Sequence, residues 1–318
     1  MQIFRFLASW CGATLIILCM SELVFFNEDA VVDMINIEGV PYPTLVALEM
    51  FAIYLALMLV FLAALRLSGA GNVAAIVLCG AIAGWAIEGV IIPVVYEAPP
   101  FSYAWTAISW HMVFDVMIGW LGLIWLMQRE RLVTVALATV LAGALWGYWS
   151  TWIWGDGLRL EPSQFIVYSG AITFVLIAGA MMSVFGRASL MKLPKWICWL
   201  SCVVALGFGV LTGLPYGIFA VGLAAIVAFN CFALWRLSTN RPDAGFLVTY
   251  LKTPVRWRNA IPILALWPAA VASYAALYAV DYQMPLEDIT ALFLVIGVLI
   301  WLWAIAKGLF HKRGNQAG

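Results

Sequence analysis

Residues 195–236 read KWICWLSCVVALGFGVLTGLPYGIFAVGLAAIVAFNCFALWR. No charged side chain stands between Lys195 and Arg236, and the run is about twice the roughly 20 apolar residues that a bilayer-spanning helix needs. Near its middle lies Thr212-Gly213-Leu214-Pro215-Tyr216, a glycine–proline break that divides it into spans over 195–213 and 215–235. The fold depends on whether this break kinks one long helix or reverses the chain between two.

Charge settles the choice. On the same length template the 318 residues carry ten spans, 4–26, 42–65, 72–95, 105–127, 132–154, 164–185, 195–213, 215–235, 260–280 and 289–310. Numbered from a cytoplasmic N-terminus, fifteen of the sixteen Lys and Arg residues fall in inner segments, and Arg159 alone falls outside. The outer segments carry Glu28, Asp29, Asp33, Glu38, Glu97, Asp156, Glu161, Asp281, Glu287 and Asp288. Merging spans 7 and 8 would move every later loop to the other side and destroy this asymmetry. The sequence therefore predicts an all-α polytopic transmembrane helical bundle of ten spans with both termini cytoplasmic. It is expected to be a multi-pass protein of the cell membrane, inner or plasma. Residues 1–318 read as a single membrane domain: 1–160 hold the first five spans, and 161–318 form an apolar second half with a cytoplasmic loop at 236–259.

Composition agrees. Sixty-five per cent of residues are hydrophobic, 10% are charged and the mean hydropathy is +1.02. A soluble globular domain is much less apolar, and a disordered chain lacks both the hydrophobicity and the aromatics. Zero net charge leaves no basic field for nucleic acid, so membrane lipids are the expected partners. All six cysteines lie in apolar runs and read as small buried residues, not as a disulfide framework. The first apolar run passes a signal-peptide core without a small-residue cleavage site, so it is expected to remain as a membrane helix. Within 236–259, Gly245–Leu251 followed by Lys252, Arg256, Trp257 and Arg258 reads as an interfacial stretch. Its apolar side would lie in lipid and its basic side at anionic headgroups.

Five ionisable side chains remain inside the spans: Glu22, Glu49, Glu88, His111 and Asp115, all in the first four. Projection at about 1.5 Å per residue places them at a common depth in the outer half of the membrane. Alternating helix direction makes this notable, since they come late in odd spans and early in even ones. A charge facing lipid costs several kcal/mol, so these groups should face the bundle interior and partner one another. His111 and Asp115, four apart, share a helix face, and the carboxylate would fix the imidazole tautomer. Glu88 shares a face of span 3 with Trp85. Gly84 on that face, with Gly80 one turn earlier, would admit span 4 closely.

His111, Asp115, Glu88 and Glu49 are thus the candidate catalytic residues. Glu22, Glu97, Trp85, Trp149 and Trp152 are candidates for substrate binding. Glu97 sits on the proline-stiffened outer loop Tyr96–Tyr103 as a lid acid, and the tryptophans at the outer end of span 5 form either an interfacial aromatic belt or an apolar substrate wall. No metal site is expected: the chain has only two histidines and no HExxH. His311, beside Lys312 and Arg313, reads as a flanking charge. No phosphate loop, GxSxG or dinucleotide fingerprint occurs, so the sequence leaves any cofactor unidentified. Three classes fit these residues: an enzyme doing acid–base chemistry on a lipid or other apolar substrate, a proton- or cation-coupled transporter, or a structural subunit in which the polar groups hold helices together.

Overall fold

The computed structural model describes residues 2–24, 43–69, 71–91, 93–152, 159–238 and 246–311. Glu28, Asp29, Asp33, Glu38, Asp156, Arg241, Lys312 and Arg313 lie outside the described residues, as do the side chains of Glu287 and Asp288. The chain is all-α, and no strand occurs among the described residues.

Among the described residues, ten helices are long and apolar enough to cross a membrane: Gln2–Leu23, Thr44–Ser68, Val73–Ile91, Ala107–Gln128, Leu132–Trp149, Pro162–Phe185, Lys195–Tyr216, Ile218–Leu237, Trp257–Tyr278 and Thr290–Leu309. They match the ten expected spans within a few residues and are called spans 1 to 10. The chain is a polytopic membrane protein.

The break at 212–216 is a reversal. Leu214–Tyr216 tightens into a 3₁₀ turn, and Gly217 follows at φ +53°, a backbone conformation that a side chain would strain. Span 7 then packs along span 2, whereas span 8 packs along spans 3 and 10. Asn230 fixes the latter arrangement from inside. It donates to the Leu78 carbonyl at 3.1 Å and accepts from the Trp301 indole at 2.9 Å, joining spans 8, 3 and 10.

Spans 3 and 4 form the centre of the bundle. Span 3 is almost entirely buried, whereas span 7 is mostly exposed. Glycine makes the central contact possible: a Cβ on Gly84 would overlap the Ala107 carbonyl oxygen of span 4. Span 6 opens on Glu161-Pro162-Ser163-Gln164, a capping box with proline in the first turn. Nearby, Arg159 pairs with Asp281 and lies 4.4 Å over the Tyr278 ring, fastening the loop before span 6 to the end of span 9.

Three local expectations change. Leu247, Val248 and Leu251 of the short helix Phe246–Lys252 are buried against protein, not laid in lipid, because this segment packs on the turn after span 6 and the start of span 3. Trp146, Trp149 and Trp152 are each at most 7% exposed, so they point inward and do not form a lipid-facing belt. Cys231 is exposed on span 8; the other five cysteines are buried or half-buried, and all six are free.

Candidate functional site: a buried acid–base cluster

The four residues Glu22, Glu88, His111 and Asp115 sit on helix of unusual geometry. Cys19–Leu23, Ile87–Ile91 and Ala107–Gly122 are all π-helical, closed by i→i+5 hydrogen bonds. This geometry usually occurs as a single turn and is frequent at functional sites. Here the third segment runs for 16 residues. The wider turn holds more than four residues, so His111 and Asp115 fall nearly one above the other. The segment begins at a strained point: Thr106, a β-branched residue, has φ 58° and ψ −62°, and the Ala107 amide donates to the Trp105 carbonyl at 2.8 Å. That is a γ-turn with positive φ, costly for such a residue. The Thr106 carbonyl then accepts from both Trp110 and His111 amides at 2.9 Å, which starts the widened helix.

His111 is the hub. Its Nδ1 lies 2.8 Å from Asp115 Oδ2 and its Nε2 lies 2.6 Å from Glu88 Oε1. Each contact requires one proton, so two protons are shared among the three groups. An imidazolium between two carboxylates satisfies the count, and so does a neutral imidazole beside one protonated acid. Both arrangements leave the triad with one net negative charge. All three side chains are buried, so the contacts are not weakened by solvent.

The network extends to two more helices. Ser21 Oγ stands 3.1 Å from His111 Nδ1, 2.6 Å from the Tyr54 hydroxyl and 3.1 Å from Glu22 Oε1; Tyr54 donates toward Glu22 Oε1, which leaves its own oxygen free to accept the single Ser21 proton. A continuous hydrogen-bonded chain therefore links Glu22, Tyr54, Ser21, His111, Glu88 and Asp115 across spans 1 to 4. One acceptor stays unused. Asp115 Oδ1 is buried and has no hydrogen-bond partner among the described residues. A buried carboxylate oxygen without a partner is costly, and sites that keep one often use it.

The remaining candidates separate. Glu49 is exposed on span 2, five residues before Tyr54 and so turned well away from the face carrying it. Glu97 is exposed on the loop after span 3 and touches no member of the cluster. Trp85 is buried, donating to the Tyr103 carbonyl at 2.8 Å and packing edge-on against Trp301, so it anchors the loop and span 10. Trp149 and Trp152 pack on one another, and Trp149 lies 5.0 Å from Trp110, the neighbour of His111. With Phe114 and Phe293 these rings form an aromatic wall beside the polar chain.

Tyr54 and Ser21 were not singled out from sequence. The usable signal was a tyrosine deep within an aliphatic helix, whose hydroxyl needs a partner once buried. Among the described residues, no group of three or more His, Cys, Asp and Glu is arranged to hold a metal ion.

Comparison with models of protein families, with curated proteins and with solved structures finds no match.

Proposed function

We propose that this chain is a membrane-embedded acid–base enzyme acting on a lipid or other apolar substrate in the outer half of the bilayer. The observation that carries the reading is His111 held between Glu88 and Asp115 while Asp115 Oδ1 remains unpartnered. His111 and Glu88 exchange the shared proton, Asp115 orients the ring, and its free oxygen receives a substrate proton. The Glu22–Tyr54–Ser21 branch supplies a route for that proton to leave. The aromatic wall beside His111 suits an apolar substrate.

Two features weigh against the other classes. Polar groups that merely hold helices together gain nothing from a buried carboxylate oxygen left unpaired, which carries a desolvation cost. A transporter of two inverted five-helix repeats would pack spans 8 and 9 as it packs spans 3 and 4, and it does not.

The test uses purified protein in nanodiscs made from total lipid extract, with every lipid species followed by mass spectrometry. Wild type and Glu49→Gln are expected to convert one lipid class, whereas Glu88→Gln and Asp115→Asn convert none. Conversion that persists in both cluster variants contradicts the reading. Substrate-driven proton uptake without conversion would establish the transporter instead.

The orientation is part of this proposal and rests on the one-sided distribution of Lys and Arg. Reporter fusions after Asp33, Asp156 and Asp281 should report the outside, and fusions after Arg187 and Lys252 the inside. An outside signal at Lys252 would overturn it.

A further inference from the structure

A second site lies at the opposite end of the molecule. Arg5, which marks it, is 17 residues before Glu22 on span 1, about 25 Å along the helix axis. There the start of span 1, the turn after span 6, the start of span 7 and the end of the helix Phe246–Lys252 surround a cavity of about 580 Å³. Four cations line it, Arg5, Arg187, Lys192 and Lys252, and no acidic side chain does among the described residues. Such a concentration of one sign in a concave site focuses potential on an anion.

Arg187 adds an independent sign. Its guanidinium is fixed by the Val184 carbonyl at 2.6 Å and the Thr253 carbonyl at 2.7 Å, which ties span 6 to the segment before span 9. Its Nε, buried in the same wall, has no acceptor among the described residues. Burial pushes this guanidinium below its ordinary pKa, an effect that a bound anion would offset.

The rest of the lining decides between a soluble anion and a lipid. Phe6, Leu193, Ile197 and Leu251 give the wall an apolar surface. Phe185, in the last turn of span 6 and 46% exposed, continues that surface toward the hydrocarbon. A free phosphate ester has no use for such a wall, whereas acyl chains do. The proposed orientation also places this end in the cytoplasmic leaflet, where anionic lipids concentrate.

We propose that this cavity binds the phosphate headgroup of an anionic phospholipid, with the acyl chains leaving past Phe6 and Phe185 toward the membrane interior. Arg5, Lys192 and Lys252 neutralise the phosphate, and the Arg187 guanidinium, held by the Val184 and Thr253 carbonyls, adds a fixed positive charge to the wall. The site is separate from the acid–base cluster and does not depend on what that cluster does.

The test is native mass spectrometry of the full chain in detergent, titrated with dioleoyl-phosphatidylglycerol or dioleoyl-phosphatidylcholine, with glycerol phosphate as a soluble competitor. Phosphatidylglycerol should bind at least about tenfold more tightly than phosphatidylcholine, and millimolar glycerol phosphate should not displace it. Lys192→Gln with Lys252→Gln removes two exposed cations whose side chains make no hydrogen bond or ion pair among the described residues, and should weaken phosphatidylglycerol about tenfold or more. Adding Arg5→Gln should weaken it further, while Arg187 is kept for its structural bonds. Equal binding of the two lipids, or wild-type affinity in the double variant, overturns the proposal. Displacement by glycerol phosphate overturns the lipid assignment and gives the cavity to a soluble phosphate ester.

Discussion

Replacing His111 by alanine should destabilise the protein by about 3–5 kcal/mol, the loss seen when one partner of a buried ionic network is removed. The imidazole is the group that separates Glu88 from Asp115, and both nitrogens are occupied in doing so. Without it, buried carboxyl groups face a void and one another, and they persist only by taking up protons. Asp115→Asn should be much milder, because an amide can still meet Nδ1 and carries no charge into the interior. Unfolding of the two variants in micelles, monitored by the many tryptophans, provides the comparison. His111→Ala as stable as wild type would mean that the imidazole does not hold the carboxylates together.

The second large effect concerns a residue without a side chain. Gly84→Val should cost about 3 kcal/mol, the upper part of the range for overpacking, because the added carbons meet the Ala107 backbone and not a movable side chain. Spans 3 and 4 must separate, which lengthens the Glu88–His111 contact, so both stability and activity should fall. Gly80→Ala, one turn earlier on the same face, is the control. Its added carbon would stand 3.2 Å from Met112 Cγ, the middle of a flexible side chain. Alanine also gains about 0.5–1 kcal/mol over glycine inside a helix, so this variant should be close to neutral. Equal losses at the two positions would show that the contact between spans 3 and 4 is looser than Gly84 implies.

The ten spans were legible because membrane helices announce themselves by length and apolarity alone, and the glycine–proline break at 212–217 marked the one ambiguous reversal. Depth was legible as well: Glu22, Glu88, His111 and Asp115 meet because projection along the helix axis is independent of rotation. Facing was not. Glu49 has the right depth and the wrong face, and an almost uniformly aliphatic helix gives little amphipathic signal to set its rotation. The π-helical turns could not be read either. They depend on tertiary packing and on the strained Thr106, and nothing in the AISWHMVFDVMIGWLG run distinguishes i→i+5 from i→i+4 bonding. Tyr54 escaped notice because a lone tyrosine in a span more often marks the interface than a relay.

The most direct test of the central claim uses the scarcity of histidine. The chain contains two, so His311→Ala leaves His111 as the sole ring-nitrogen signal in ¹⁵N-histidine-labelled protein. Solid-state NMR of that variant in bilayers should show both nitrogens of His111 strongly hydrogen-bonded, with Nε2 shifting in Glu88→Gln and Nδ1 in Asp115→Asn. A neutral ring with one free nitrogen, unmoved by either substitution, would contradict the claim that His111 shares protons with both carboxylates.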